Sequence, residues 1–465
     1  FLDNLFDFML KKFLLSDFVA HYGSVFVLLM LCAYYSYATF SEQHSISVQA
    51  GEALANRIAD VTDAGQVIIV IRQTGADREY AEAIKQQLAT KGMSVFQTAV
   101  GPVEVRKAIE KAGEEEVIVS AIATHQPGTT YGALRSQNIQ KFQKKYASLK
   151  SMEVYTPNSY YWPTFLTREN LVNVVNQNAD IAIIAIGMTM VIITAGIDLS
   201  VGSFLAISAV MTAITIESFG GVDSGVVTLT ACGLLGILTC AACGLFNGIM
   251  VTWFRVPAFI VTLATMMIAR GIALILAVRY QASLTGGTTE GTPEAIKIQA
   301  ELFSWLGNGV TLGIPNPILL MLLLYFIAHY MMSQTAFGRY VYAVGGNPEA
   351  ARLSGVPVIG VLIAVYVICA TMAGIGGVLD ASRFEGGRPN AGDLYELQVI
   401  AAVVVGGTSL AGGEGKIFGT LIGAMIIAVI QNGLNMAGVK SYEQKVVFGG
   451  LILAAVILDQ LKKRR

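Results

Sequence analysis

The chain has 465 residues, of which 54% are hydrophobic and 14% are charged, and its net charge is −1. Its mean hydropathy is +0.60. A soluble domain carries about 25% charged residues, so a chain this poor in charge cannot face water over its whole length. We therefore predict an integral membrane protein. The near-neutral charge, without a basic stripe, excludes a nucleic-acid partner.

The first predicted region, residues 1–41, combines an interfacial segment with a first membrane span. Residues 1–12 mix Phe and Leu with Asp and end in Lys11 and Lys12, which predicts an amphipathic helix lying in the membrane interface. A span follows at about 19–40. Aromatic residues gather at its far end, a pattern typical of an interfacial belt.

Residues 42–160 form a second region of different composition. They hold 26 of the 63 charged residues. Strands are predicted at Gln66–Ile71, 93–98 and 117–123, and helices at 76–91, 103–112 and 132–150. Strands that alternate with helices predict a small parallel α/β domain. We expect this domain to lie in water outside the membrane, inserted after the first span.

Residues 161–465 form the third region, a membrane-spanning core of about nine further spans. They are predicted near 170–195, 201–217, 226–252, 258–278, 316–333, 356–379, 396–410, 416–437 and 443–461. The spans 201–217 and 396–410 are short or broken by glycine, which is typical of unwound helices around a substrate path. The predicted fold is an all-α membrane protein of about ten transmembrane helices with a small external α/β domain.

The charge pattern predicts the orientation of the chain. The basic run from Lys462 to Arg465 indicates a cytoplasmic C-terminus. Ten spans then place the N-terminus in the cytoplasm as well, and the inserted domain outside. The loops 334–355 and 411–415 would lie inside. Arg383 and Arg388 would lie outside, against the general bias.

The segment AIGMTMVIITAGIDLSVGS, residues 185–203, places Asp198 between two apolar stretches. Ser200 is expected to cap the next helix by accepting bonds from its free N–H groups. A buried acid is unfavourable unless it is paired or hydrated. Asp198 is therefore either a local cap at a helix break or a residue of the substrate path.

The segment FGRYVYAVGGNPEAARLSG, residues 337–355, is polar and lies between two predicted spans. Asn347 is suited to an N-cap, Pro348 to the first helical position and Glu349 to the first turn, and Gly355 would end the helix. A short helix displayed in this way is typical of a coupling element that presses on a moving partner. An ordinary capped surface helix is the alternative.

A third segment runs from residue 388 to residue 423, RPNAGDLYELQVIAAVVVGGTSLAGGEGKIFGTLIG. Its last glycines recur every four residues, which permits close approach of another helix. Gly415–Lys416 resembles part of a phosphate loop, but Leu410 and Ile417 occupy the positions of the required Gly and Ser or Thr. The chain has no other Walker pattern. We therefore predict a protein that is not an enzyme and binds no metal.

These three segments, together with FLTRENLVNVVNQ at 165–177, resemble the permease subunits of bacterial ABC importers for monosaccharides such as ribose, galactose and xylose. The resemblance covers about 165–460. It implies a multi-pass protein of the bacterial inner membrane, a second permease copy or paralogue, a partner ATPase that holds ATP and Mg, and an extracytoplasmic solute-binding protein. It also implies that the ATPase-contacting segment includes Arg339, Asn347, Pro348, Glu349, Ala350, Ala351, Arg352, Leu353, Ser354 and Gly355.

Polar residues predicted at membrane depth are candidates for the translocation path, although each could instead satisfy a structural partner. They are Asp198, Asn247, Arg270, Glu396, Gln398 and Asn432. Arg270 is expected to pair with a carboxylate or a helix end. Members of the family usually have an acid followed by Ala where this chain has Gln398–Val399.

The inserted domain is a second departure from the family, which crosses this gap in a short loop. Its strand and helix pattern resembles part of a periplasmic sugar-binding fold. It could dock the binding protein, be a degenerate receptor lobe, or serve stability.

The sequence thus predicts an importer subunit that forms an alternating-access path for a sugar, driven by a partner ATPase. A permease for nucleosides or another hydroxylated solute remains open. So does a membrane receptor that senses through the insert. Ion-coupled transport is disfavoured by the displayed helix at 347–354, since such transporters engage no ATPase.

Overall fold

The computed structural model describes residues 17–62, 65–72, 75–285 and 292–463. It divides into two compact units. We call Tyr37–Thr167 the insert and the chain on either side of it the membrane core. The sequence prediction had drawn the insert at 42–160. The amphipathic helix predicted at 1–12, and Arg464 and Arg465, lie outside the described residues.

The membrane core is helical. Its helices are Asp17–Ala38, Arg168–Gln177, Ala179–Ile193, Val201–Ser218, Val226–Thr252, Ala258–Thr285, Glu301–Asn308, Asn316–Gln334, Ala336–Gly346, Pro348–Leu353, Val358–Arg383, Tyr395–Val405, Ile417–Met436 and Ser441–Lys463. Two-residue strands pair Ile296–Lys297 with Gly386–Gly387, and Val310–Thr311 with Ile314–Pro315. For each of the ten predicted spans, a helix begins within two residues of the predicted start.

Six helices in the described part of the chain are long and apolar enough to cross a membrane. A seventh crossing results if Arg168–Gln177 and Ala179–Ile193, bent by 45° at their junction, count as one span. Tyr395–Val405 has 11 residues. At 1.5 Å per residue it is about 16 Å long, too short to cross a hydrocarbon layer of about 30 Å alone. The count of ten crossings stays a prediction.

The centre of the membrane core is built from helices that are apolar all round. Every residue of Ala179–Ile193 is buried. Val358–Arg383 packs against this helix and against Val201–Ser218. Helices of this kind occupy the middle of a bundle rather than its surface. A Cβ on Gly377 would lie 2.3 Å from the carbonyl oxygen of Leu205. Glycine there lets two of these helices come into backbone contact.

The insert is an α/β domain, as the sequence predicted. Its strands are β1 (Phe40–His44), β2 (Gln66–Ile71), β3 (Val95–Val100), β4 (Val119–Thr124), β5 (Glu153–Tyr155) and β6 (Ser159–Pro163), and its longer helices are Val48–Val61, Gly75–Thr90, Gly101–Glu114 and Ser136–Lys145. The strand order β3-β2-β4-β5 is parallel throughout. Ile68 and Val70 pack into one core, and Val67, Ile69 and Ile71 into another. Both faces of the sheet are therefore covered.

The sequence prediction for the insert was incomplete at its edges. It omitted the helix Val48–Val61 and the strands β1, β5 and β6. The single helix predicted over 132–150 is wrong, because the chain there forms Ser136–Lys145 between two short 3₁₀ turns. Tyr146 turns the chain out of the helix with extended backbone angles. A Cβ on Gly113 would lie 2.4 Å from the ring of Tyr146. The ring therefore packs directly on helix Gly101–Glu114.

Candidate translocation and coupling sites

Asp198 lies in the break between helices Ala179–Ile193 and Val201–Ser218. Its side chain is fully buried. One carboxylate oxygen, Oδ1, accepts bonds from the backbone N–H of Ser200 at 2.9 Å and from the Ser200 hydroxyl. The prediction that Ser200 caps the helix with its side chain is wrong, because that hydroxyl is turned to Asp198 instead. Asp198 itself closes the turn.

Asn247 reaches the same turn from helix Val226–Thr252. Its Nδ2 donates to the Ser200 hydroxyl at 3.2 Å. Asp198 Oδ2 and Asn247 Oδ1 are buried, and no N–H or O–H group of the described residues donates to either. Buried polar atoms are usually paired. The weakly donating thiol of Cys369 is the further partner of the Asp198 carboxylate. A solute hydroxyl or a water would be a stronger donor to these two acceptors than a thiol.

Glu396 and Arg270 meet near the start of helix Val201–Ser218. Glu396 is buried, and a Cβ on Gly202 would lie 2.7 Å from its Oε2 and 2.2 Å from the carbonyl oxygen of Gly392. Arg270 donates from Nη1 to the carbonyls of Pro389 (2.9 Å) and Ala391 (2.7 Å). Arg270 was expected to pair with a carboxylate or a helix end. Its hydrogen bonds go instead to the loop that leads into Tyr395–Val405, while the carboxylates of Asp393 and Glu396 interact with it electrostatically.

Gln398 and Asn432 stand apart from this group. Gln398 is two residues beyond Glu396, which places it on the other side of the same helix, and its buried Oε1 accepts no bond among the described residues. Asn432 exchanges two amide hydrogen bonds with Asn170, at 2.8 and 3.1 Å. The amide of Asn432 therefore joins helix Ile417–Met436 to helix Arg168–Gln177, which agrees with the alternative that it satisfies a structural partner.

We call Pro348–Leu353 the coupling helix. Asn347 caps it by accepting bonds from the N–H groups of Glu349 (3.1 Å) and Ala350 (3.0 Å). Pro348 takes the first helical turn and Gly355, with φ 84°, follows the end, as predicted. Of the predicted ATPase-contacting residues, Ala351 alone is buried, and Leu353 is 80% exposed. The segment therefore presents a capped helix with an apolar tip to its surroundings.

Glycines join the coupling helix to the rest of the core. A Cβ on Gly345 would stand 1.8 Å from the carbonyl oxygen of Ile193 and 2.7 Å from the N of Gly413. The Gly413 N–H donates to that same carbonyl at 2.8 Å, and the Tyr342 hydroxyl donates to the carbonyl of Gly415 at 2.8 Å. We call this contact the glycine junction. It brings the three segments singled out in the sequence into direct contact.

Sequence reasoning missed an ionic cluster at another helix break. Arg383 lies 3.8 Å from the buried carboxylate of Asp180 and donates to the carbonyls of Asn176 (2.7 Å) and Gln177 (3.3 Å). It thereby satisfies the carbonyls that end helix Arg168–Gln177. Nearby in sequence, Arg388 pairs with the buried Asp380 at 2.5 Å. Asp180 and Asp380 both lie in apolar stretches of the sequence. An acid in such a stretch is a candidate for a buried ion pair, and this pattern could have identified both residues.

Comparisons with known proteins agree with this architecture. Residues 170–456 match the family described as branched-chain amino acid transport system, permease component. The ribose import permease of Escherichia coli K12 is 43% identical over 302 residues, covering 65% of this chain and 88% of the relative. The ribose import permease of Bacillus subtilis is 42% identical over 300 residues, covering 64% and 87%.

The xylose transport system permease of Escherichia coli K12 is 34% identical over 394 residues, covering 72% of this chain and 95% of the relative. No solved structure matches the chain. The family match spans more than half of the sequence and includes every helix of the two candidate sites. The chain therefore belongs to this family of transport-system permease components, and it is a multi-pass membrane transport subunit rather than an enzyme, as the sequence predicted.

Proposed function

We propose that this chain is the membrane permease of a bacterial ABC importer that carries a monosaccharide of the ribose or xylose type. The proposal rests on two relatives. The ribose import permease aligns over 88% of its own length, and the xylose transport system permease aligns over 95% of its own length. In this proposal the chain pairs with a second permease. A partner ATPase holds ATP and Mg, and an extracytoplasmic binding protein delivers the sugar.

The coupling helix is the proposed contact with the ATPase. It is capped at both ends and exposed, so it can enter a groove without unfolding. The glycine junction then transmits its movement, because Gly345 touches the end of helix Ala179–Ile193 directly and the loop around Gly413 is bonded to the same carbonyl. The turn that holds Asp198 begins just after that carbonyl. Movement at the coupling helix would thus reshape the path.

The proposed path runs past Asp198, Asn247, Arg270 and Glu396. Sugar hydroxyls need acceptors and donors, and Asp198 and Asn247 each offer a buried oxygen to which no N–H or O–H group of the described residues donates. Arg270 has a positioning role, since it holds the loop before helix Tyr395–Val405. Gly392 of that loop is in backbone contact with Gly202 at the start of helix Val201–Ser218, as expected where discontinuous helices line a substrate path.

The proposed topology has ten crossings in the bacterial inner membrane, with both termini in the cytoplasm and the insert outside. It is supported by the glycine junction, where Gly345 of the loop 334–355 lies against Gly412 and Gly413 of the loop 411–415. Both loops were placed on the cytoplasmic side by the charge pattern. Tyr395–Val405 then crosses together with the non-helical segments beside it.

The coupling proposal is tested by Leu353→Asp. We expect the charge to weaken docking and to lower ATP-driven uptake about tenfold, the effect of losing ~1.4 kcal/mol at a buried contact. Leu312→Asp is the matched control, since Leu312 is exposed even more than Leu353 but lies in a short hairpin elsewhere in the core. Equal uptake in the two variants would contradict the role of the coupling helix.

The solute is tested by competition. Proteoliposomes that contain the permease, its ATPase and its binding protein should accumulate ribose or xylose. Excess nucleoside or branched-chain amino acid should compete weakly. Strong competition by leucine, the solute class that the family description names, would replace the sugar with an aliphatic amino acid and leave the ABC mechanism standing.

The insert is proposed to dock the binding protein, with a degenerate receptor lobe or a stabilising module as alternatives. Deleting about 46–158 would separate these roles. Docking predicts a lower affinity for the binding protein with the permease still assembled. Unchanged uptake and unchanged affinity would exclude docking.

A further inference from the structure

The strands β1 and β6 form an antiparallel ribbon, which we call the aromatic ribbon. Five residue pairs run from Phe40–Pro163 to His44–Ser159. The ribbon brings together the two ends of the insert, since the Thr164 N–H donates to the carbonyl of Thr39 at 2.9 Å and the Phe165 N–H donates to the Thr39 hydroxyl at 3.0 Å. The entry and exit of the domain are thus closed on each other.

Both faces of the aromatic ribbon carry exposed aromatic rings. Directly opposed residues share a face, so Tyr160 and Trp162 lie on one face and Phe40 and Tyr161 on the other. Phe40 and Tyr161 stack with their ring centres 6.1 Å apart and are 58% and 66% exposed. Tyr160 and Trp162 are 48% and 46% exposed. Each face of the ribbon therefore carries two exposed aromatic rings.

Two physical limits restrict where such a ribbon can lie. An isolated two-stranded ribbon is marginally stable in water, and four large exposed rings add an unfavourable contact with water. Its outer edges also carry unpaired backbone groups, which the hydrocarbon layer does not tolerate. The layer that suits both the rings and the open edges is the lipid headgroup region, where Trp and Tyr concentrate.

Chain continuity leads to the same layer. Thr39 alone separates the aromatic ribbon from helix Asp17–Ala38, and four residues separate it from Arg168, where the bent pair of core helices begins. Helix Asp17–Ala38 itself exposes Tyr34 and Tyr37 near its end. Both ends of the ribbon are thus tied to helices of a multi-pass membrane protein.

We propose that the aromatic ribbon is a membrane-interface anchor, with Phe40, Tyr160, Tyr161 and Trp162 seated among lipid headgroups. The anchor fixes the base of the insert at the bilayer surface. The parallel sheet of the insert is then displayed from a fixed base rather than from two loose linkers.

Tryptophan fluorescence tests the anchor, because the chain has three tryptophans. The variant Trp253→Phe/Trp305→Phe keeps Trp162 alone. In liposomes made with phosphatidylcholine brominated either near the glycerol backbone or near the end of the acyl chain, Trp162 should lose most of its emission to the shallow bromines and less to the deep ones. Acrylamide in the buffer should quench it less than free indole.

The variant Trp162→Phe/Trp305→Phe is the positive control, since Trp253 ends a candidate span and is 79% exposed. If the doubly substituted protein does not assemble, the difference in quenching between the unsubstituted chain and Trp162→Phe gives the same information. Quenching by acrylamide with none by either lipid would place the ribbon in water or on a protein partner and overturn the proposal. Stronger quenching by the deep bromines would also overturn it.

Discussion

Asp198 in the membrane core and Asp77 in the insert are both fully buried, but the groups around the two carboxylates differ. In the insert, Asp77 is fully buried and both carboxylate oxygens face basic groups, Arg72 at 3.3 Å and His125 at 3.2 Å. In the core, one oxygen of Asp198 is bonded to Ser200 and the other receives no N–H or O–H donor among the described residues. Asp77 is therefore paired with a charged guanidinium, which stabilises the insert. Asp198 faces only a backbone N–H, a hydroxyl and the Cys369 thiol, so its carboxylate lacks a cationic partner among these groups.

The largest expected effect comes from the glycine junction. Gly345→Val would place side-chain atoms on the carbonyl of Ile193, where a Cβ already stands 1.8 Å away. Overpacking of this kind costs about 1–3 kcal/mol. Since about 1.4 kcal/mol is a factor of ten, we expect uptake to fall by about fivefold to about a hundredfold. Gly346→Val is the matched control, because a Cβ there meets no atom within 4 Å. Similar uptake by the two valine variants would show that the junction transmits nothing.

A second prediction compares the two aspartates directly. Asp198→Asn keeps an oxygen for the turn but replaces the other carboxylate oxygen with a donor. Since a hydrogen bond to a charged group contributes about 1.5–3 kcal/mol, KM for uptake should rise about tenfold with normal expression. Asp77→Asn should instead lower the stability of the insert, and leave unchanged the affinity of the membrane core for the sugar itself. A normal KM for Asp198→Asn would restrict Asp198 to closing the turn.

A third prediction concerns pH and the insert. Burial lowers the pKa of His125 below its ordinary value, although Asp77 opposes the shift. Below about pH 6.5, the ordinary value for His, the unfolded chain then binds more protons than the folded insert. The free energy of unfolding must therefore fall as the pH drops through this range and stay level above it.

Hydrogen–deuterium exchange of β2 and β4 in the full chain, corrected for the intrinsic pH dependence, measures this effect. We expect less protection at pH 5 than at pH 7. His125→Gln should lessen the difference, while the core helices should show none of it. If the pH dependence of protection persists in His125→Gln, a group other than His125 causes it.

The smallest expected effect is at the amide pair in the core. Asn432→Ala and Asn170→Ala should each reduce thermal stability slightly, and a double-mutant cycle should give a coupling of about 0.6 kcal/mol, as measured for polar contacts between membrane helices. Substrate selectivity should not change. A shift in selectivity with Asn432→Ala would return this residue to the translocation path.

The sequence predicted well wherever a local pattern determines structure. The cap at Asn347, the strand Gln66–Ile71 and the starts of the core helices follow from capping chemistry and apolar periodicity. The hydrogen-bond partners of Arg270 and the Asn170–Asn432 pair were not predictable, because each depends on segments brought together from more than 100 positions away. The role of Ser200 was missed although its partner Asp198 is two residues away, because capping patterns do not show which of two neighbouring polar side chains closes a turn. The ribbon of β1 and β6 was missed because its strands lie 115 residues apart and neither is apolar enough to stand out.

The most direct test of the central claim is uptake by the reconstituted full chain with its ATPase and binding protein. The account predicts sugar accumulation that requires ATP hydrolysis, is lost with Leu353→Asp and persists with Leu312→Asp. Sugar accumulation in vesicles that lack the ATPase, driven by an ion gradient alone, would contradict it.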